Sequence, residues 1–172
     1  VQCTIQMVTN TDESVEVLEG RNLTLDLNGK VVSGINPEYT IKNNGDFTLI
    51  ESTPETEDTG KIVNNLGVGI LNKANSHLNL GEGYSDRPVT GSVVSVTRPY
   101  VCGETVGIKN ETNGYFTMFD GKIVSPTSQV PGYGAVNGKV TGTEYSYTSI
   151  SNIDTIDSKD YLLKDLIMNW NS

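Results

Sequence analysis

The sequence has few of the residues that build metal sites and disulfide frameworks. Its 172 residues include two cysteines, Cys3 and Cys102, and one histidine, His77. Two cysteines without a CxxC pair exclude a zinc knuckle, a thioredoxin-type site and a disulfide-rich scaffold. A lone histidine cannot form a histidine-based metal cluster. We therefore predict no metal site and no cofactor.

Positive charge and long apolar runs are also scarce. Lysine and arginine number 12 against 21 acidic residues, which gives a net charge of −9. Nucleic-acid partners are disfavoured, because phosphate binding requires clustered lysine and arginine. No stretch of 18 apolar residues exists, so membrane insertion is not expected. No signal peptide is visible, and the chain is interpreted as a mature protein or an excised fragment.

Glycine and period-two alternation are the features that the sequence does have. It contains 18 glycines and only 35% apolar residues, a composition typical of many short strands separated by turns. The clearest strand is LTLDL, Leu23 to Leu27, which ends at the turn Asn28-Gly29. Alternation of this kind predicts half-buried β-strands in a single all-β domain.

One composite motif recurs along the chain, and its best copy is Val106 to Val124. Glycines that precede apolar pairs lie at Gly29, Gly60, Gly91 and Gly121, spaced by 31, 31 and 30 residues. Repeats of this length indicate a solenoid, a propeller or a tandem array. The alternative is a meander of hairpins, since Asn-Gly pairs are a strong hairpin signal. We favour the solenoid, because stacked coils must repeat their inward residues in register.

Stacked coils place equivalent residues in ladders that fill the interior. Each filled position contributes about 1.5–3 kcal/mol through burial. The sequence predicts three inward ladders: Leu23, Phe47, Leu78 and Phe116; Leu25, Leu49, Leu80 and Met118; Val31, Ile62, Val93 and Ile123. Asn43, Asn72 and Asn110 are predicted either to stack as an amide ladder at a corner or to be ordinary turn residues.

These residues carry a family resemblance. The runs LTLDLNGKVV, YTIKNNGDFTLIES and VGIKNETNGYFTMFDGKIV resemble coils of right-handed parallel β-helix proteins of the pectate-lyase-like superfamily. They are most similar to repeat domains of large bacterial cell-surface proteins. The resemblance spans about residues 15–141 and implies four to five coils. It does not imply one activity, since folds of this kind host lyases, hydrolases and passive stalks.

The resemblance also implies what an enzyme of this superfamily would carry. Its lyases hold Ca²⁺ with clustered carboxylates on a strand face and use an arginine or lysine as base, while related hydrolases use several aspartates. Here the acidic residues concentrate in loops such as Glu51 to Thr59. Asp26 lies beside a turn, and alternation places His77 on the outward face. We therefore assign no catalytic residue, and we interpret the acidic loop as solvated.

The cysteines are predicted to be two mostly buried thiols. Cys3 and Cys102 fall about three repeats apart. Coils rise about 4.8 Å each, so that separation exceeds disulfide reach.

Tyrosines supply the remaining candidate site. Solenoid faces bind extended polymers, and exposed aromatic rings stack on sugars. If Tyr100, Tyr115 and Tyr133 line up on one face, they form a groove for a polysaccharide or host glycan. The alternative is that turn tyrosines simply cover coil edges.

The C-terminal segment departs from the repeat. Residues 1–157 are assigned to the β-helix, and 158–172 to a cap or to the start of a following module. In Ser158 to Trp170 the apolar residues lie at helical spacing, which predicts an amphipathic helix covering the open end. The alternative is a strand that begins the next module or pairs with another copy.

The resemblance thus implies an extracellular, secreted or cell-surface, non-catalytic module of a bacterial surface protein, stalk-like or adhesin-like. The first alternative is a small polysaccharide lyase or glycoside hydrolase. The second is a structural unit that associates end to end instead of remaining a monomer.

Overall fold

The computed structural model of the chain describes residues 2–53, 60–81, 99–111, 113–118, 122–124, 136–137, 140–141 and 161–162. These residues form 17 β-strands, and none of them lies in a helix. Short strands follow from the sequence, because runs of alternating apolar and polar residues are interrupted every few residues by turn-forming Asn, Gly and Ser.

The strands assemble into three sheets. Sheet A contains β1 (Gln2–Gln6), β4 (Asn22–Asp26), β7 (Asp46–Ile50), β10 (His77–Leu80), β13 (Tyr115–Met118) and β16 (Val140–Thr141). Sheet B contains β2 (Thr11–Asp12), β5 (Val31–Ser33), β8 (Lys61–Asn64), β11 (Tyr100–Gly103), β14 (Lys122–Val124) and β17 (Tyr161–Leu162). Sheet C contains β3 (Val15–Val17), β6 (Tyr39–Asn43), β9 (Val68–Asn72), β12 (Val106–Asn110) and β15 (Val136–Asn137).

Every third strand returns to the same sheet, so the chain visits sheets A, B and C in turn. We call one such passage a coil. Strands that are neighbours in a sheet come from successive coils and pair in parallel, except β17, which pairs with β14 in the antiparallel sense. This all-β arrangement of parallel sheets is consistent with a β-solenoid, as the sequence predicts.

Two of the three predicted ladders are confirmed by the strand register. Leu23 pairs with Phe47, Phe47 with Leu78, and Leu78 with Phe116; Leu25, Leu49, Leu80 and Met118 follow two residues later. Phe47, Leu49, Leu78, Leu80 and Phe116 are at most 1% exposed. These side chains form the core that holds the coils together.

The third predicted ladder is wrong at two positions. Val32, not Val31, pairs with Ile62, so the predicted alignment is off by one residue. Val101, not Val93, pairs with both Ile62 and Ile123. Val93 lies outside the described residues. The Gly60–Gly91 spacing accounts for the Val93 position only, because the true partners Ile62 and Val101 lie 39 residues apart and not 31.

Coil length varies much more than the glycine spacing predicts. In sheet C, Ile41 pairs with Ile70 and Ile70 with Ile108, an advance of 29 residues and then of 38. A solenoid tolerates this, since extra residues are placed in loops while the rungs keep their register. The fixed feature is therefore the rung, not the number of residues between rungs.

The cysteine prediction is confirmed in one part and wrong in the other. Neither Cys3 nor Cys102 is in a disulfide. Both were predicted to be mostly buried, whereas Cys3 is exposed and Cys102 is half-buried. Cys3 lies at the Leu23 ladder position, but its strand, β1, is the end strand of sheet A. Cys102 alternates with the inward Val101 and faces outward.

The C-terminal segment is a strand wherever it is described. Tyr161–Leu162 form β17, so at these two residues the predicted helix is wrong. The strand pairs with β14 of the same chain, and not with another copy as the alternative had it. The rest of the predicted helix lies outside the described residues.

Candidate functional site

A row of side chains on the outer face of sheet A combines an acid, an imidazole and an aromatic ring. Asp46, His77 and Tyr115 are neighbours in β7, β10 and β13. They point outward because the alternating residues Phe47, Leu78 and Phe116 point into the core. The prediction that His77 faces away from the core is therefore confirmed.

The row is held in place by specific contacts. His77 Nδ1 lies 3.0 Å from Asp46 Oδ1. On its other side the imidazole stacks on the Tyr115 ring, with 4.6 Å between ring centroids and 6° between planes. Tyr115 is nevertheless 57% exposed. The contacts orient an aromatic ring that remains accessible, so little side-chain freedom would be lost on binding a ligand.

A second row on the same face, two residues further along each strand, supplies hydrogen-bonding groups. Thr48, Asn79 and Thr117 are aligned across the three strands, and all three are half-buried. Asn79 Nδ2 lies 3.3 Å from Thr48 Oγ1. Hydroxyl and amide groups beside an exposed aromatic ring are suited to recognition of hydroxyl-rich ligands. This row was not predicted from the sequence, although period-two alternation along the three strands indicates it.

Tyr100 and Tyr115, two of the three tyrosines proposed from the sequence, lie on different sheets. Tyr115 lies on sheet A, whereas Tyr100 lies in β11 of sheet B, where Lys61 Nζ is 5.7 Å from its ring centroid. Tyr133 lies outside the described residues. The candidate site is therefore centred on Tyr115 and includes His77, which the sequence analysis had not assigned to a site.

The asparagine ladder is present at the end of sheet C. Asn43 Nδ2 donates to Asn72 Oδ1 at 2.8 Å, and Asn72 Nδ2 donates to Asn110 Oδ1 at 2.7 Å. All three side chains are at most 3% exposed. Each also donates to a backbone carbonyl after its own turn or the next: His77, Tyr115 and Gly114 respectively. The ladder thus joins the coils while satisfying buried backbone groups.

Glu51 is a buried carboxylate that the sequence reading placed in a solvated loop. It is 8% exposed, and its carboxylate accepts from the backbone N–H groups of Gly29, Thr53 and Gly60. Alternation through Phe47 and Leu49 places position 51 on the inward side, and this signal could have identified it. The carboxylate joins the two ends of the inserted loop, because it binds residues on both sides of 54–59.

Asp26 has a similar structural role at the Asn28-Gly29 turn, as the sequence predicts. It accepts from the N–H groups of Asn28 and Ser52, each at 3.0 Å, and from Gln6 Nε2 at 2.8 Å. Burial opposes ionisation, but the hydrogen bonds from Ser52 and Gln6 outweigh it and hold the pKa of Asp26 below its ordinary value. The turn itself has left-handed backbone, with φ of 47° at Asn28 and 72° at Gly29.

Two surface ion pairs connect successive coils of sheet C and its following turn. Lys42 Nζ lies 3.0 Å from Glu16 Oε1, and Lys73 pairs with Glu111. The hydrogen bond to each lysine lowers the pKa of Glu16 and of Glu111, and the same bond to Glu16 raises the pKa of Lys42. Each of these four charged side chains is therefore paired with an oppositely charged side chain of a neighbouring coil.

Among the described residues, no group of three or more His, Cys, Asp or Glu side chains is arranged to hold a metal ion. Nor do these residues include a helix long and apolar enough to span a bilayer. Comparison with protein-family models, curated proteins and solved structures finds no match to this chain.

Proposed function

We propose that the chain is a non-catalytic extracellular module of a bacterial surface protein, acting as a stalk or adhesin-like spacer. The observation that carries this proposal is the asparagine ladder through Asn43, Asn72 and Asn110, whose amides bond coil to coil inside the stack. Together with the apolar ladders, these buried side chains hold one coil to the next. Such a stack provides length and rigidity.

We also propose that the fold is a right-handed parallel β-helix of four to five coils, resembling the pectate-lyase-like superfamily. Parallel strands joined by crossovers in one sheet are right-handed in about 98% of cases, which supports the hand.

The enzymatic alternative requires carboxylates that face substrate. In contrast, Asp26 and Glu51 direct their oxygens at backbone N–H groups, and Glu16 and Glu111 bind lysines. These four acids are engaged in holding turns and coils, which supports the structural role over the lyase or hydrolase.

A cleavage assay tests this choice. The purified chain is incubated with acidic and neutral polysaccharides, with and without Ca²⁺, and unsaturated ends and reducing ends are measured. We expect no product above that of heat-unfolded protein. Reproducible cleavage that disappears in a single carboxylate variant would overturn the proposal.

A sugar-binding role for the outer face of sheet A is a second candidate, favoured by the exposed and oriented ring of Tyr115. A neutral glycan is the expected ligand, because the chain carries a net charge of −9. On a glycan array, Tyr115→Ala should abolish binding. Tyr100→Ala, on sheet B, is the matched control and should leave it unchanged. Equal loss in both variants, or none in Tyr115→Ala, would contradict this role.

A further inference from the structure

The two rows on the outer face of sheet A run along the axis of the stack, across the strands. Each row takes one residue from β7, one from β10 and one from β13: Asp46, His77 and Tyr115 in the first, and Thr48, Asn79 and Thr117 in the second. Neighbouring strands lie about 4.8 Å apart, so each row is about 10 Å long. Residues two apart in a strand are separated by about 6.6 Å, which sets the distance between the rows. We call the surface formed by these two rows the sheet A strip.

The two sides of the strip differ in chemistry. In the first row, the side chains of Asp46 and His77 are 54% and 56% exposed, and the Tyr115 ring beside them is accessible as well. In the second row, the half-buried Thr48 and Asn79 present a hydroxyl and an amide. A sugar ring has apolar faces and a rim of hydroxyl groups, so an aromatic ring on one side and hydrogen-bonding groups on the other suit it.

The second row closes on the side of β4. Thr24 occupies the equivalent position there, but it is 7% exposed, and its hydroxyl lies 3.4 Å from Gln2 Nε2. Among the described residues, the accessible hydrogen-bonding groups of this row therefore begin at β7. A ligand that uses both rows lies over the three coils of β7, β10 and β13.

Charge restricts the ligand further. Asp46 places a carboxylate on the strip, and none of the residues of the strip is a lysine or an arginine. The whole chain carries a net charge of −9. An anionic sugar would therefore be repelled both by the strip and by the chain around it.

We propose that the sheet A strip binds a neutral, unbranched, β-1,4-linked oligosaccharide that lies along the stack, with about one sugar over each coil. Such chains are extended ribbons, because the bonds that join their rings are equatorial, and they advance by roughly one coil rise per sugar. Tyr115 stacks on the sugar over β13, Asn79 binds the sugar over β10, and Thr48 binds the sugar over β7. This inference rests on the sugar-binding role proposed above for Tyr115, and it adds the shape, charge and direction of the ligand.

Titration calorimetry with glucose, cellobiose and cellotriose tests the fit of the ligand. Affinity should rise with each added sugar up to cellotriose. Maltotriose has the same composition as cellotriose but curls, because its links are α-1,4, and it should bind at least about tenfold more weakly. Equal affinity for the two trisaccharides would overturn the proposal.

The direction of the ligand is tested on the β7 side of the strip. Thr48→Ala should weaken cellotriose binding about two- to tenfold, the usual contribution of one hydrogen bond. It should leave cellobiose binding unchanged, since two sugars reach only β13 and β10. Ser33→Ala removes a half-buried hydroxyl from sheet B and is the matched control, and circular dichroism checks that both variants are folded. A ligand that lay along β13 would not reach Thr48, so unchanged cellotriose binding in Thr48→Ala would overturn the proposal.

The charge selection is tested with a trisaccharide of β-1,4-linked glucuronate. It should bind at least about fivefold more weakly than cellotriose, the size of the repulsion between two close charges in water, and Asp46→Asn should narrow the difference. Equal binding of the acidic and the neutral trisaccharide would overturn the choice of a neutral ligand. Absence of cellotriose binding would overturn this inference, while the sugar-binding role would stand if another glycan on the array required Tyr115. Absence of all glycan binding would overturn both.

Discussion

Asn72 is the central rung of the asparagine ladder. It accepts a hydrogen bond from Asn43 and donates to Asn110 and to the carbonyl of Tyr115. A neutral amide suits this position, because its oxygen accepts from one rung while its NH2 group donates both to the next rung and to a backbone carbonyl. Asn72 thus takes part in side-chain links across three coils.

Asn72→Ala should lower the free energy of unfolding by at least about 1–3 kcal/mol, since the substitution leaves buried polar groups without their partner. Urea unfolding measures the change. Asn65→Ala, at an exposed turn position, is the control and should be close to neutral. Equal stability of the two variants would show that the ladder does not join the coils.

Asp26 makes stability depend on pH. Its pKa is lowered in the folded state, so the ionised form is favoured by folding. That stabilisation is complete above the unfolded-state pKa, about 3.9, and is lost as pH falls through the lower folded-state pKa. The stability difference between wild type and Asp26→Asn should therefore shrink between neutral pH and about pH 3.

Unfolding midpoints in urea, measured across this pH range, check the prediction. Asp12→Asn, at an exposed acid, controls for the loss of one negative charge. A difference between wild type and Asp26→Asn that is constant with pH would contradict it.

At the scale of the strand, the corner between sheets B and C is built by glycine. A Cβ on Gly69 would lie 2.6 Å from the carbonyl oxygen of Gly107, 2.9 Å from Val101 Cγ1 and 3.0 Å from the carbonyl oxygen of Cys102. Two of these atoms are backbone, so they cannot move aside as a flexible side chain would. The neighbouring backbone is therefore too close to accommodate a side chain at position 69.

Gly69→Ala should destabilise the fold by about 1–3 kcal/mol or more through overpacking. Thermal unfolding measures the loss. Gly20→Ala is the comparison, since a Cβ there meets nothing within 4 Å but the backbone has a φ of 73°. It isolates the cost of left-handed backbone, about 1–2 kcal/mol. Full tolerance of Gly69→Ala would mean that the coils can separate locally.

At the scale of the whole molecule, the sequence predicts the rungs of sheet A but not those of sheet B. Alternation in LTLDL, DFTLI and HLNL is long enough to define which side faces inward, and these strands pair as predicted. In sheet B the strands are short, and both GSVVS and YVCG fit an apolar rung. The number of residues between rungs does not distinguish these two segments, because insertions between rungs do not disturb the stack.

The candidate site was predictable only in part for the same reason. Tyr115 and the outward direction of His77 follow from alternation within one strand. Their stacking follows from the pairing of β10 with β13, which joins residues 38 positions apart. Tyr100 belongs to a sheet B strand whose register the sequence did not define, so its separation from Tyr115 could not be seen.

The turns of this fold also determine its chemical lifetime. In an Asn-Gly pair, the glycine nitrogen can attack the asparagine side-chain carbonyl, which closes a succinimide and releases ammonia; asparagine is thermolabile for this reason. Three such nitrogens are occupied here: Gly29 N–H binds Glu51, Gly45 N–H binds Asn43 Oδ1, and Gly114 N–H binds the carbonyl of Glu111. We expect deamidation at Asn28, Asn44 and Asn113 to be slow in the folded chain and to accelerate on unfolding in urea, as measured by peptide mass spectrometry. Equal rates in both states would contradict this protection. The expected difference would mean that coil stacking slows the chemical degradation of the turns.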